Sequence, residues 1–135
     1  TLVKSSAASD VYKRQVATLE DGLYVLEENL KDAAFKDKMV RFVRASMKGW
    51  KYAEQNPGEA AEIVVDNDDS GAQTVEHNTT QMGEIIKLTA GSNGALDPAD
   101  YQRTVDSLMT GGSDPVITKM PEGAWTHEIT DLALK

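Results

Sequence analysis

Clustered carboxylates are the first feature of the sequence with a possible chemistry. Asp66, Asp68 and Asp69 fall within the run DNDDSG, and hard cations such as calcium prefer carboxylate oxygens. The run lacks the bidentate glutamate and the remaining positions of a twelve-residue calcium loop. We therefore predict an acidic surface turn that ends the preceding helix, in preference to a calcium site.

The histidines add little chemistry to these carboxylates. His77 falls among polar residues, off the apolar stripe of its predicted helix, and the sequence contains no cysteine. No second histidine lies at metal-ligand spacing, so we predict that His77 is a surface side chain. A glycine-rich phosphate loop, a nucleophile elbow and an HExxH signature are all missing. The sequence thus predicts no catalytic residue, no metal and no cofactor, and the protein is not expected to be an enzyme.

The charge balance narrows the range of partners. The chain of 135 residues has a formal net charge of −8 at pH 7. An acidic surface repels phosphate groups, so nucleic acid and anionic membranes are disfavoured as partners. Apolar runs are too short for insertion into a membrane. The lack of cysteine excludes a disulfide framework but identifies no compartment.

The N-terminal stretch SSAASDVYKRQ, residues 5–15, differs from everything after it. It has neither the apolar region of a signal peptide nor a helix or strand period. Back-translated, it matches a transposase-type sequencing adapter. We therefore expect residues 1–15 to be adapter-derived and disordered, with an ordinary disordered N-terminus as the alternative. Residues 16–135 would then continue a reading frame that is cut upstream.

Apolar periodicity predicts four main helices and a short C-terminal helix. Asn56 and Asp97 are expected N-caps, because each precedes a proline at a first helical position. Glu59 stands where it can reach back to the first of these caps. Gly49 beside a tryptophan suggests the close approach of another backbone. The four spans are 35–56, 56–65, 72–88 and 98–110.

The inner faces of these helices follow from residues spaced three and four apart. The first helix is expected to bury Met39 or Val40, Val43, Met47 and Trp50. The third is expected to bury Ala72, Val75, Thr79, Met82 and Ile86, and the fourth Tyr101, Val105 and Leu108.

One apolar run predicts a strand. Leu23, Tyr24, Val25 and Leu26 follow a turn-like Asp-Gly pair, which is typical of a short buried strand. A lone strand leaves its edges unpaired, so the run implies a partner sheet elsewhere. A second short extended piece is expected at residues 116–118.

Four segments carry a family resemblance. The most specific is RFVRASMKGWKYAEQNPGEAAEIV, residues 41–64, where a helix ending in Gly-Trp is followed by Asn-Pro and an alanine-rich helix. EDGLYVLEENLKD, GAQT and GAWTHEITD fit the same pattern. Residues 16–135 resemble the C-terminal part of substrate-binding proteins of ABC importers for nitrate, sulfonate and taurine-type solutes. That family also includes binders of thiamine pyrimidine precursors.

The resemblance implies an α/β fold of the type II periplasmic-binding-protein class. Two lobes would close around a solute by a hinge motion. Residues 16–135 would supply a hinge-crossing strand and helices of the first lobe, and would be predominantly helical with one or two short strands. The implied protein is a periplasmic monomer that binds a small organic or oxyanion nutrient and delivers it to ABC permease subunits. It inserts into no membrane and binds no nucleic acid.

The resemblance also places a candidate ligand site. In this fold the stretch TLEDGLY would pass near the hinge and the cleft. Glu20 and Asp21 would accept hydrogen bonds from an amine-bearing solute, and Tyr24 would stack on a ring. Carboxylates in this place argue against an anionic solute. The alternative interpretation is a turn with two acids and a core aromatic residue.

Two other functions remain open. An enzyme of thiamine pyrimidine synthesis resembles the same fold family, but its cysteine-rich iron motif has no counterpart in this sequence. A helical interaction module that acts alone is the other alternative, although it leaves the predicted strand without a partner. An upstream cysteine motif would indicate the enzyme, whereas a start codon near Val16 would indicate the module.

Overall fold

A computed structural model describes Leu19, residues 22–110 and residues 115–135. Helices form the regular secondary structure of these residues. A short 3-10 helix, Glu27–Lys31, precedes the first α-helix. The adapter-like residues 1–15 lie outside the described residues. The α-helices of the described part are α1 (Ala33–Gln55), α2 (Pro57–Asp66), α3 (Val75–Thr89), α4 (Pro98–Thr110) and α5 (Thr130–Ala133).

The α/β class predicted from the sequence is wrong for the residues that the structure describes. These residues contain helices and no strand. The predicted strand at Leu23–Leu26 is irregular chain, and Leu23 and Tyr24 are 61% and 85% exposed. Residues 116–118 likewise form no strand. The physical reason is that a strand needs a hydrogen-bonded neighbour, and the described chain offers none.

Helix α1 confirms the longest predicted helix. The Asp32 side chain caps it by accepting a hydrogen bond from the backbone N–H of Ala34 at 2.9 Å. Val40 and Val43 are buried, and Met47 packs against them. Trp50, expected on the same inner stripe, is half exposed. The predicted backbone approach at Gly49 is also wrong, because nothing lies within 4 Å of a Cβ added there.

A single residue separates α1 from α2. Pro57 opens α2 as predicted, but Asn56 does not cap it with its side chain. The Asn56 amide instead donates back to the Tyr52 carbonyl at 3.0 Å, at the end of α1. Glu59 does not reach back to the cap, because the Asn56 N–H donates to the Tyr52 carbonyl at 2.9 Å. The Glu59 carboxylate raises the pKa of the Tyr52 hydroxyl.

Helix α3 begins three residues later than predicted. Thr74 caps it by accepting a hydrogen bond from the His77 N–H at 3.2 Å. Ala72 therefore lies outside the helix, and Val75 is 41% exposed. The one buried side chain of α3 is Asn78, which belongs to no apolar stripe.

Helices α4 and α5 agree with the predicted positions. The Asp97 side chain accepts a hydrogen bond from the Ala99 N–H at 2.7 Å, and Pro98 starts α4. Val105, on the predicted inner face, is buried. Helix α5 is a single turn after Trp125. Among the described helices, none combines the length and apolar character needed to cross a bilayer.

The chain divides into two compact units. The first comprises Glu28–Ala95 and Glu128–Lys135, hence α1, α2, α3 and α5. In it α2 packs against α1 and α3, and α5 packs against α1. Its main apolar cluster is formed by Val40, Val43 and Ala133, with Met47, Ile129 and Leu134 around them. Each fully buried valine contributes about 1.5–3 kcal/mol through the area it removes from water.

The second unit contains Leu96–His127 together with the chain up to Glu27. Its single buried side chain among the described residues is Val105, on α4. The Val116 N–H donates to the Leu108 carbonyl at 3.0 Å, which holds the irregular chain against α4. The Leu19 N–H donates to Thr104 Oγ1 at 2.9 Å. This unit therefore has a smaller core than the first.

Candidate functional site

The structure places one of the three predicted ligand-binding residues. Glu20 and Asp21 lie outside the described residues. Tyr24 is 85% exposed, and its ring folds back towards Gly22, where an added Cβ would lie 3.3 Å from the hydroxyl oxygen. Its stacking on a solute stays a prediction.

A concave site occurs instead where α2 turns into α3. Its volume is about 470 Å³, within the range of roughly 300–1,000 Å³ that is usual for ligand pockets. The site is a depression in the surface that is widely open to solvent. It is lined by Val64, Asn67, Asp68, Gln73, Asn78, Gln81, Met82 and Ile85. We refer to it as the α2–α3 groove.

Asp68 organises the turn between the two helices. Its Oδ1 accepts hydrogen bonds from the N–H of Ser70 at 2.9 Å and from the Ser70 hydroxyl at 2.5 Å. Its Oδ2 accepts the Gln73 N–H at 2.7 Å. The Ser70 hydroxyl, followed by the Gln73 N–H, holds the pKa of Asp68 below its usual value. The predicted acidic turn is thus confirmed, and it presents an ionised carboxylate at neutral pH.

Asn78 fixes the other side of the groove. It is only 7% exposed, and its amide group donates to Gln73 Oε1 and to the Thr74 carbonyl, both at 3.0 Å. The Asn78 Oδ1 accepts no hydrogen bond from any described residue. Described side chains contain no fully buried polar atom without a partner, so this oxygen remains accessible to solvent.

The groove has a polar end and an apolar wall. Asp68, Gln73 and Asn78 supply oxygen acceptors at one end. The apolar wall consists of Val64 from α2 with Met82 and Ile85 from α3. Such an arrangement can hold a molecule with a hydrogen-bond donor at one end and hydrocarbon at the other.

An aromatic cluster in the second unit has a structural role. The Trp125 ring lies 4.8 Å from the His127 ring and 6.1 Å from the Tyr101 ring, measured between centroids. His127 Nε2 lies 2.8 Å from the Leu96 carbonyl oxygen, so it carries the proton and donates. Rings this close to each other leave no room for a ligand between them.

The remaining candidates from the sequence are His77 and possible metal ligands. His77 is exposed, as the sequence predicts. Within residues 22–110, 115–135 and Leu19, no three histidine or acidic side chains are placed so that they could hold a metal ion. No family model, curated protein or solved structure matches the chain.

Sequence reasoning missed the α2–α3 groove. The signal that was present is Asn78, four residues after the capping Thr74, where an asparagine side chain can bond back to the backbone carbonyl. Its burial depends on the packing of α2 against α3, which one sequence does not reveal. Asp68 was recognised as a turn residue, but its proximity to Gln73 and Asn78 was not.

Proposed function

We propose that residues 16–135 belong to a solute-binding protein that captures a small organic or oxyanion nutrient and delivers it to an ABC-type permease. The observation that carries the proposal is the resemblance of residues 41–64 to that family. This segment spans the larger part of α1 and most of α2, which are joined at the single residue Asn56. The proposal concerns the activity and assigns no sheet to these residues.

Exposed apolar side chains support a larger parent protein. Phe42 and Trp50 on α1 are both about half exposed, and Ile63 on α2 is 49% exposed. Soluble proteins seldom leave so many large side chains in water unless another surface covers them. A larger protein, in which other segments pack against these side chains, would account for their exposure here.

The decisive test begins with the DNA on both sides of the codon for Val16. The proposal expects an open reading frame that continues upstream. The encoded protein, titrated calorimetrically with taurine, nitrate and an aminopyrimidine, should bind one of them with a dissociation constant of about 1 μM or tighter. Failure of all three, and of related solutes, would overturn the proposal.

Variants then test the predicted ligand residues. Replacing Glu20 and Asp21 by Ala should weaken solute binding by about tenfold or more, because charge-assisted hydrogen bonds are lost. Replacing Glu27 and Glu28 by Ala is the matched control, since this pair also removes two acids but from the 3-10 helix after the stretch, and it should leave affinity unchanged. Equal affinities in both variants would refute the assignment of the site.

A helical interaction module that acts alone is the second candidate. One observation favours it: the described residues contain no strand, so the objection from an unpaired strand no longer applies to them. The other objection, four amphipathic helices without a partner surface, stands. The module predicts a monomer with a cooperative thermal transition and little binding of a hydrophobic dye. Sedimentation and a melting curve of the 135-residue chain distinguish it from the first candidate.

A further inference from the structure

We propose that the α2–α3 groove binds a primary ammonium group carried on a short aliphatic chain. The groove combines an ionised carboxylate, two amide oxygens and an apolar wall. This inference does not depend on the proposed transport function, because it uses none of the residues Glu20, Asp21 and Tyr24.

The polar end matches the three donors of an ammonium group. A carboxylate oxygen accepts two hydrogen bonds, and so does an amide oxygen. Asp68 Oδ2 accepts one from Gln73, and Gln73 Oε1 accepts one from Asn78. Each of these atoms therefore keeps one vacant acceptor position. Asn78 Oδ1 keeps both, which gives three acceptor atoms for three N–H groups.

Rigidity is the second argument for a binding site. Asp68 Oδ2 is held by the Gln73 N–H at 2.7 Å, and Gln73 Oε1 is held by the Asn78 side-chain N–H at 3.0 Å. Asn78 is further anchored to the Thr74 carbonyl. A ligand would therefore lose little affinity to the ordering of protein side chains.

Charge and apolar contact select the chemical class. A carboxylate whose pKa is lowered stays ionised at neutral pH and attracts a cation. The groove offers no described lysine or arginine side chain to neutralise it. Val64, Met82 and Ile85 are suited to a hydrocarbon chain. An anion, or a cation without N–H donors, would leave the oxygens unpaired.

The test uses the 135-residue chain labelled with ¹⁵N and titrated with n-butylammonium at pH 7. We expect saturable shifts of the side-chain amide signals of Gln73, Asn78 and Gln81, with a dissociation constant of about 1 mM. N,N,N-trimethylbutylammonium has the same charge and chain but no N–H donor, so it should bind about tenfold more weakly or worse. Equal binding of both cations, or shifts without saturation, would overturn the proposal.

A pair of lysine substitutions provides the matched control. Gln81 lines the groove and Thr80 does not, although both are exposed on α3. Gln81→Lys places a competing cation at the groove and should weaken n-butylammonium binding about tenfold. Thr80→Lys adds the same charge outside it and should change the affinity less than about twofold. Similar losses in both variants would show attraction by overall charge alone and would refute the site.

A second pair tests the carboxylate directly. Asp68→Asn removes the charge inside the groove, and Asp69→Asn removes a charge from the next residue, outside the lining. Only the first should weaken binding, by about tenfold. Far-ultraviolet circular dichroism confirms that each variant keeps its helices. Unchanged affinity in a folded Asp68→Asn variant would contradict the proposal.

Discussion

Residues 22–26 and helix α1 differ in what surrounds their apolar side chains. Val40 and Val43 of α1 meet Ala133 of α5, and all three are buried. Leu23 and Leu26 are more than 60% exposed, although their segment is the densest apolar run of the described chain. The comparison shows that an apolar run becomes a buried helix or strand only where another part of the chain packs against its side chains.

The largest expected effect comes from a charge placed in the α1–α5 cluster. Val43→Asp should lower the free energy of unfolding by about 3 kcal/mol or more, because an unpaired carboxylate is removed from water. Phe42→Asp, at the neighbouring half-exposed position, should lower it by less than about 1 kcal/mol. Urea unfolding monitored by circular dichroism measures both. Equal losses would mean that α1 buries a different face.

Helix spans were predictable because they depend on local signals. Pro57 and Pro98 begin helices where they should, and Asp97 accepts the expected capping hydrogen bond. The side chain of Asn56 was misassigned, because the end of α1 and the start of α2 compete for the same residue. Local patterns show that a boundary exists but not which helix its side chain serves.

Burial and the candidate site were less predictable. Trp50 fits the periodic stripe of α1 but is half exposed, so no other element covers it fully. Asn78 is buried although it is polar, because its amide satisfies two acceptors at the same time. The hydrogen bonds of Asn78 are local, to residues five and four positions earlier. The burial of Asn78 and the exposure of Trp50 nevertheless depend on how the helices pack, and no spacing rule encodes that packing.

The second prediction concerns the close contact between α1 and the loop before α4. Gly94 has φ +83°, and a Cβ added there would lie 2.5 Å from Met47 Sδ. Gly94→Ala should therefore lower the free energy of unfolding by about 2 kcal/mol, through left-handed backbone strain and displacement of the methionine.

Gly71 is the matched control for this substitution. Its φ is +66°, but nothing lies within 4 Å of an added Cβ. Gly71→Ala should cost about 1 kcal/mol, from the backbone alone. The difference between the two variants measures the Met47 contact. If both cost the same, Met47 moves aside freely and adds nothing to the packed unit.

The third prediction tests how α5 is held on α1. Arg44 donates to the Leu132 carbonyl at 2.7 Å and to the Ala133 carbonyl at 3.1 Å. Arg44→Met should lower the free energy of unfolding by about 1 kcal/mol, a value reduced for solvent exposure. Arg41→Met removes only the exposed pair with Asp37 and should cost about 0.3–0.5 kcal/mol. Thermal unfolding at two salt concentrations separates the two, because salt weakens the Arg41 pair more strongly.

The smallest effect on stability is expected in residues 22–26. Replacing Leu23 and Leu26 by Ser should change the free energy of unfolding by less than about 0.5 kcal/mol, since both side chains already contact water. The same change should reduce the fluorescence of a bound hydrophobic dye, because it removes exposed apolar area. Leu88→Ser, at a position 72% exposed on α3, is the control for apolar area outside the segment.

A large loss of stability in this double variant would reverse the comparison. It would mean that Leu23 and Leu26 are covered in solution, as the strand predicted from the sequence requires. An unchanged melting temperature with weaker dye binding would instead show that the segment is an apolar surface without a partner in the 135-residue chain. Stability reports whether Leu23 and Leu26 are buried, and dye binding reports whether they are exposed. Together the two measurements decide whether residues 22–26 are covered, as α1 is, or remain an exposed apolar surface.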